Sequence, residues 1–217
     1  ILDQLCAGVS HGIITAGINN NLLASREKWS ETVFLNVDQM KLLIDALVER
    51  GITPVYLSTD AVYSGVSGCY TEKSSRSPVN CYGRIRYEIE NYLLDGQSTY
   101  LIIRCGRVFG TGQFCTSSLT SIVAAILDSS VEKITCTDDQ YFSPILAAEL
   151  YDGMMRLIDR NHVGVFNMAS ISKTSHFEFA VATAKFLGNR TIRIEPISKN
   201  ALGLCDERGD RVDMDTQ

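Results

Sequence analysis

Two short runs in the first half of the chain carry residue types suited to proton transfer at a carbonyl group. The run Ser58-Thr59-Asp60 closes an apolar, strand-like stretch with two hydroxyls, and Tyr82 precedes Arg86 by four residues. Because residues at i and i+4 share one face of a helix, Arg86 can hold its positive charge beside the phenol of Tyr82. A tyrosine with an ordinary pKa of about 10 acts as an acid or base near neutral pH only when such a charge stabilises its phenolate. Thr59 or Ser58 would donate a hydrogen bond to the same carbonyl oxygen as negative charge develops there.

The same residues also have purely structural interpretations. Tyr82 could anchor the first turn of a helix, and Ser58 and Thr59 could cap the turn that follows their strand, as hydroxyl side chains often do. Arg86 could form an exposed ion pair with Glu90, four residues further on, which would contribute only about 0.2 to 0.5 kcal/mol. The residues alone leave a chemical and a structural role open for each of these side chains.

The elements that must position these residues alternate between strand-like and helix-like patterns. Strand-like apolar runs are predicted at residues 12–15, 55–58, 100–104, 134–137 and 165–168. Helical periodicity is predicted at residues 29–50, 82–94, 119–127, 146–159 and 176–187. Alternation of this kind favours an α/β fold with a parallel sheet and helices on both faces.

Ligand-binding residues are expected at one edge of this sheet, because ligands of open parallel sheets collect outside the carboxyl ends of the strands. Three segments follow such ends: Ala16-Gly17, Ser58-Thr59 and Arg104 to Arg107. The guanidinium groups of Arg104 and Arg107 match the geometry of a phosphate, although each could instead pair with a nearby carboxylate. The loop of residues 64–77 is rich in Ser and Gly, so we expect it to be a mobile rim over this edge.

The bulk composition narrows the classes of partner. The 217 residues are 45% hydrophobic and 21% charged, which is ordinary for a globular protein with a substantial core. A net charge of −5 argues against a nucleic-acid partner, and no apolar run approaches the roughly 18 to 20 residues that a membrane-spanning helix needs. Seven cysteines without a Cys-x-x-Cys pair are typical of a reducing compartment, so we expect a cytoplasmic protein. The three histidines lie far apart in the sequence, so we expect no metal site.

A series of short motifs runs through the chain in a fixed order. These segments are Ile13-Ile14-Thr15-Ala16-Gly17, Asn36-Val37, Val55 to Asp60, Tyr70-Thr71-Glu72, Pro78 to Gly83, Arg104 to Gly110, Asp139 to Pro144 and Gly164 to Asn167. Together with Thr59, Tyr82 and Arg86, the series resembles the extended short-chain dehydrogenases/reductases and, more closely, the dTDP-4-dehydrorhamnose reductase family. No single segment is decisive, whereas their order is specific.

The resemblance implies a Rossmann-like fold, an NADP or NAD cofactor and a nucleotide-activated keto-sugar as substrate. Tyr82 would be the general acid, with Thr59 and Arg86 as the other catalytic residues. The residues implied to build the cofactor side are Ala16, Gly17, Asn36, Ser58, Tyr82 and Arg86. Those implied to bind the substrate are Arg104, Arg107 and Gln140.

Two departures from the family pattern bear on activity. No Gly-rich, pyrophosphate-binding turn follows an early strand, so we expect a fragment of a longer chain whose other part supplies that turn. Arg86 stands where the family signature has lysine; it keeps the positive charge but is effectively never deprotonated. We expect residues 1–113 to form a partial dinucleotide-binding core, and residues 114–217 to supply the remaining core elements interleaved with a small substrate-side lobe.

The leading prediction is an NAD(P)-dependent sugar-nucleotide oxidoreductase, either a reductase or an epimerase-like enzyme. The alternative is a non-catalytic regulatory or binding subunit built on the same fold, which both departures favour. We expect either a homodimer or a larger multidomain polypeptide, without a nucleic-acid or membrane partner.

Overall fold

A parallel four-stranded sheet forms the centre of the structure, a computed structural model that describes residues 6–15, 29–96, 99–110, 117–189, 191–202 and 209–216. Its strands are β1 (His11–Ile14), β2 (Thr53–Thr59), β3 (Leu101–Cys105) and β7 (Gly164–Met168), in the order β1-β2-β3-β7. All of these strands pair in parallel, so their carboxyl ends lie at one edge. The predicted α/β class with a parallel sheet is confirmed.

Helices cover both faces of this sheet. The helices are α1 (Trp29–Val33), α2 (Gln39–Val48), α3 (Cys81–Gly96), α4 (Ser118–Leu127), α5 (Ala147–Asp159) and α6 (His176–Phe186). Side chains of β2 alternate between the faces: Tyr56 packs with Met40 of α2 and Ile89 of α3, whereas Val55 packs with Leu150 of α5. The predicted arrangement of helices on both faces is confirmed.

Two short pairs of parallel strands build a smaller lobe beside the main sheet. β4 (Arg107–Phe109) pairs with β6 (Pro144–Leu146), and β5 (Lys133–Thr137) pairs with β8 (Arg193–Ile197). Helices α4 and α6 pack against the β5–β8 pair through a shared apolar cluster. Strand β7 lies between β6 and β8 in the chain and returns to the main sheet, so the lobe is interleaved with the core.

The helix predicted for residues 29–50 contains a π-helical turn. α1 passes into this turn, Phe34–Asp38, before α2 continues to Val48. Asn36 lies within the turn with its side chain buried. The apolar spacing of three and four residues continues through this stretch, so the pattern does not reveal the change. Single π-helical turns inside helices are rare and are often found at functional sites.

The loop of residues 64–77 is fastened to the C-terminal segment, so the prediction of a mobile rim is wrong. The Tyr70 N–H donates to the Asp213 carbonyl at 3.1 Å, and the Asp215 N–H donates to the Tyr70 carbonyl at 2.8 Å. The ring of Tyr70 also stacks on that of Tyr63, with 4.5 Å between ring centres. These contacts join residues far apart in the chain, and a local pattern of Ser and Gly does not show them.

Three further observations concern membranes, metals and cysteines. None of the described helices combines the length and the apolar character needed to cross a membrane. The described residues also include no cluster of three or more His, Cys, Asp or Glu side chains that could hold a metal ion. The described cysteines, Cys6, Cys69, Cys81, Cys105 and Cys136, are free thiols.

Candidate active site at the carboxyl edge of the sheet

Thr59 is the last residue of β2 and lies at the edge where the main sheet can receive a ligand. Its side chain is buried; its hydroxyl donates to Asp60 Oδ1 at 3.0 Å and accepts from the Ala61 N–H at 3.2 Å. Thr59 thereby caps a 3-10 turn, Asp60–Val62. The turn-capping interpretation of this hydroxyl is confirmed, and its part in carbonyl chemistry stays a prediction.

The first turn of α3 lies directly against this 3-10 turn. A Cβ atom on Gly83 would stand 2.2 Å from the carbonyl oxygen of Ala61 and 2.9 Å from the Cβ of Pro78. Glycine, which has no Cβ, permits this close approach of two backbones. Tyr82 precedes Gly83 and is partly buried there. Gly83 therefore sets the start of α3, with Tyr82, on the turn that follows Thr59.

Arg86 lies between two phenol rings. Its Cζ is 5.3 Å from the ring centre of Tyr82 and 5.7 Å from that of Tyr56, and its Nη1 donates to the Tyr56 hydroxyl at 3.2 Å. Burial lowers the pKa of Arg86, but attraction to the two phenols outweighs burial and raises the pKa above its ordinary value. The i, i+4 spacing predicts the approach of Arg86 to Tyr82, whereas Tyr56 reaches Arg86 from a different element.

The buried carboxylate of Glu90 accepts hydrogen bonds from two arginines and a serine hydroxyl. It is 0% exposed and accepts from Arg104 Nη2 at 2.7 Å, Arg76 Nη1 at 3.0 Å and the Ser58 hydroxyl at 2.5 Å. The exposed Arg86–Glu90 ion pair considered from the sequence is therefore wrong. A carboxylate in the interior needs such partners, because an unpaired buried charge is strongly unfavourable.

Arg104 is part of this buried cluster. Its side chain is 2% exposed, and besides Glu90 it donates to the Tyr63 hydroxyl at 2.9 Å and the Glu72 carbonyl at 3.1 Å. Burial lowers the pKa of Arg104, but its hydrogen bonds to Glu90 help to raise the pKa overall. The alternative that Arg104 pairs with a carboxylate is confirmed, and this guanidinium also joins β3 to the 64–77 loop. Its binding of a substrate phosphate stays a prediction.

The residues predicted for the cofactor side have different surroundings. The Ser58 hydroxyl donates to the buried Glu90, on the face of the strand opposite to that of its neighbour Thr59. Its predicted contact with a cofactor stays a prediction. Asn36 lies buried in the π-helical turn. Strand β1 ends at Ile14, and Ala16 and Gly17 lie outside the described residues.

Arg107 is the predicted substrate residue that stays close to the sheet edge. Its Nη1 lies 3.3 Å from His176 Nε2, and its Cζ lies 4.6 Å from the ring centre of Phe142. Burial raises the pKa of Asp60, and the charge of Arg107 opposes this rise. Arg107 is therefore within electrostatic reach of the turn that Thr59 caps.

Gln140 holds the C-terminal segment in place. Its side chain is 3% exposed, and its Nε2 donates to the Gly209 carbonyl at 3.1 Å. The neighbouring Tyr141 N–H donates to the Asp210 carbonyl at 2.7 Å. The Gln140 amide is therefore held against the backbone, and the contact of Gln140 with a substrate stays a prediction.

Glu90 and Tyr56 are the members of this region that sequence reasoning missed. Glu90 follows Ile89 on the core-facing side of α3, and Arg104 lies near the end of the apolar strand β3. Two opposite charges at positions that must be buried are a signal for an internal ion pair. No comparable signal identifies Tyr56, because a tyrosine is ordinary in a strand.

Comparisons with known proteins agree on one family. The family model for the RmlD substrate binding domain matches residues 13–217. A dTDP-4-keto-6-deoxy-D-glucose reductase of Streptomyces niveus is 28% identical over 156 residues, 71% of this chain and 53% of that protein. A dTDP-4-dehydrorhamnose reductase of Mycolicibacterium smegmatis is 25% identical, over 70% of this chain and 46% of that protein. The methionine adenosyltransferase 2 subunit beta of Xenopus tropicalis is 21% identical, over 78% of this chain and 52% of that protein.

Solved structures share the fold. A dTDP-4-dehydrorhamnose reductase from Bacillus anthracis, solved in complex with NADP, superposes with a TM-score of 0.86 at 23% identity, covering 94% of this chain and 71% of that one. The chain spans about half the length of the curated relatives that it matches. Because the family model extends from residue 13 to residue 217, the chain belongs to the RmlD substrate binding domain family, the dTDP-4-dehydrorhamnose reductase-like group that its motifs resemble.

Proposed function

We propose that this chain carries the reducing centre of an NADP- or NAD-dependent enzyme that acts on a nucleotide-activated 4-keto-sugar. The observation that carries the proposal is that Gly83 sets Tyr82, with the Arg86 cation beside it, on the turn capped by Thr59. Reductases of keto-sugar nucleotides among the curated relatives support the same chemistry.

The proposed reaction turns the sugar carbonyl into a hydroxyl, so its carbon gains a hydride and its oxygen gains a proton. A bound nicotinamide supplies the hydride. Tyr82 donates the proton to the oxygen as general acid, and Thr59 turns its hydroxyl from Asp60 to the same oxygen to stabilise the developing charge. Arg86 favours the phenolate that remains. Since a guanidinium keeps its protons, Tyr82 regains its proton from solvent and not through Arg86.

The residues at this edge fit one side of a dinucleotide. Arg86 has N–H groups suited to a ribose hydroxyl, and the buried Asp60 Oδ2 has no hydrogen-bond partner within the described residues, so it is a polar atom that a ligand hydroxyl would satisfy. The sequence holds no Gly-rich turn of the dinucleotide-binding kind.

The experiment that tests this function uses the full-length polypeptide that contains this chain. NADPH or NADH is mixed with dTDP-4-keto-6-deoxy-D-glucose, and the loss of reduced nicotinamide is followed together with the sugar product. We expect turnover with one of the two cofactors. Absence of both turnover and nicotinamide binding would contradict the proposal.

A regulatory or binding subunit is the second candidate. The similarity to methionine adenosyltransferase 2 beta subunits, at 21% and 22% identity, favours it, as does Arg86 at the position where the family signature has lysine. Equilibrium titration with NADPH separates the two candidates when it accompanies the assay. Binding without hydride transfer supports the subunit and excludes the reductase.

The proposed cellular setting is the cytoplasm. Free thiols at the described cysteines support this assignment, because disulfides are rare in reducing compartments. The assembly, predicted as a homodimer or a larger multidomain polypeptide, is tested by light scattering on the full-length protein.

A further inference from the structure

The hydroxyl of Tyr56 lies within the hydrophobic core. The residue is 0% exposed and belongs to an apolar cluster with Ile85, Ile89 and Ile102. A phenylalanine ring would fill the same volume, and burying a hydroxyl is unfavourable unless it is hydrogen-bonded. The Tyr56 hydroxyl accepts a hydrogen bond from Arg86 Nη1 at 3.2 Å.

No carboxylate of the described residues forms an ion pair with Arg86. Glu90, four residues further along α3, is paired with Arg104 and Arg76. Another group that acts electrostatically on Arg86 is Cys105, and burial raises the pKa of that thiol to about 12, which keeps it neutral. The guanidinium therefore depends on the two phenols for its position.

Tyr82 and Tyr56 differ in how firmly the fold holds them beside the Arg86 cation. Tyr82 lies on the first turn of α3, at the site edge, whereas Tyr56 is fixed inside the sheet by its strand and its apolar neighbours. Burial raises the pKa of Tyr56, with Arg86 opposing the rise, so its phenol stays neutral and accepts from the guanidinium. An arginine side chain otherwise carries roughly 2 kcal/mol of rotamer entropy, so a fixed acceptor at one end limits its freedom.

We propose that Tyr56 is a positioning residue that anchors Arg86, so that the guanidinium stands beside Tyr82 where the family signature places a lysine. The proposal deepens the proposed function and rests on it for its catalytic consequence. The anchoring itself is a property of Tyr56 and Arg86 alone, so it can be measured apart from turnover.

A double-mutant cycle in the full-length protein tests the catalytic consequence, with NADPH and dTDP-4-keto-6-deoxy-D-glucose as substrates. We expect Tyr56→Phe to lower kcat/KM about tenfold, chiefly through kcat, because a hydrogen bond to a charged group is lost. With Met at position 86, the same Tyr56 change should alter kcat/KM by less than about twofold, because no guanidinium remains to be positioned.

Tyr92→Phe is the matched control. The change removes a phenol hydroxyl on α3 that lies away from the site and donates to Asp45 at 2.5 Å. It should leave kcat/KM within about twofold of wild type. If Tyr56→Phe keeps wild-type kinetics, or lowers kcat/KM equally with Arg or Met at position 86, the positioning role is wrong.

Nuclear magnetic resonance tests the anchoring without turnover. In protein labelled with nitrogen-15 arginine, the signal of the Arg86 Nη1 proton that is donated to Tyr56 is identified by its loss in Arg86→Met. We expect Tyr56→Phe to speed solvent exchange of that proton about tenfold, the factor that one lost charge-assisted hydrogen bond implies. An unchanged exchange rate overturns the inference. A wild-type protein that neither binds NADPH nor turns over overturns the proposed function, while this measurement still decides the role of Tyr56.

Discussion

At the scale of single residues, ion pairs and hydrogen bonds of the charged side chains determine the arrangement of the site. The sequence predicts the approach of Tyr82 and Arg86, because residues four apart share a helix face. The partners of Glu90 come from a strand and a loop, so no spacing indicates them. For the same reason Arg104 is predicted as a phosphate ligand and is found in a buried ion pair. Residue types at the sheet edge could thus be predicted, whereas the pairing of charges required the tertiary structure.

Glu90→Gln tests the buried cluster. The change leaves Arg104 and Arg76 without their carboxylate, and breaking a buried pair by removing one partner typically destabilises by about 3 to 5 kcal/mol. We expect a loss of this size in the free energy of unfolding, measured by denaturant titration of the full-length protein.

The control for this change is Glu88→Gln on the same helix. Glu88 forms an exposed pair with Lys41, and its loss should change the free energy of unfolding by less than about 1 kcal/mol. Equal effects at positions 88 and 90 would show that the buried cluster does not hold the sheet edge.

Asp60 predicts a pH dependence of stability. Burial raises the pKa of Asp60 above its ordinary value of 3.8, so the folded state holds this proton more tightly than the unfolded state. The stability that Asp60 contributes is present below the ordinary pKa and is lost as pH rises through the raised pKa. Asp60→Asn removes that loss, so the stability of the variant relative to wild type should rise as the pH increases above the ordinary pKa of 3.8.

Asp128→Asn provides a control of opposite sign, measured by denaturant titration across the same pH series. Hydrogen bonds from Ser130 lower the pKa of Asp128, so its contribution is present above the ordinary pKa and is lost as pH falls. The stability of this variant relative to wild type should therefore fall with rising pH. A flat difference curve for Asp60→Asn would contradict the raised pKa.

At the scale of elements, close backbone contact sets the geometry of the site. Periodicity predicts the main-sheet strands and the helices, because these run long enough to show an apolar period. The strands β4 and β6 have only three residues each, too few for any period, and they were not predicted. The π-helical turn was missed because its apolar spacing matches that of an α-helix. The contact of Gly83 with Ala61 is equally invisible in a pattern, although the glycine itself lies in a recognisable motif.

Gly83→Ala tests this contact. The new Cβ would stand 2.2 Å from the Ala61 carbonyl oxygen, so the start of α3 must move away from the turn capped by Thr59. Misplacement by about 1 Å can lower the rate about 100-fold, and we expect at least a tenfold loss of kcat by that reasoning. The measurement is steady-state turnover of the full-length protein, with helical content checked by circular dichroism.

Gly96→Ala is the matched control at the other end of α3. A Cβ there meets nothing within 4 Å, so kcat should stay at the wild-type value. Should Gly83→Ala also retain full turnover, close packing of these two backbones would not be what positions Tyr82.

At the scale of the whole molecule, the order of helices and strands along the chain was easier to predict than the pairing of strands into sheets. The alternating pattern indicates a parallel sheet, and the described structure has one. The predicted strand at residues 134–137 belongs to the smaller lobe instead, paired with β8, because strand pairing depends on contacts between distant parts of the chain. The motif series identified the family, which matches from residue 13 onward. The chain spans about half the length of its curated relatives.

The most direct test of the proposed chemistry is single-turnover transfer of deuteride from labelled NADPH to dTDP-4-keto-6-deoxy-D-glucose by wild type and Tyr82→Phe. Tyr151→Phe, an exposed tyrosine on α5, is the control. We predict that Tyr82→Phe transfers deuteride at least about 100-fold more slowly with saturating NADPH, the effect of losing a general acid, with the fold unchanged. Wild-type transfer by Tyr82→Phe would contradict the account.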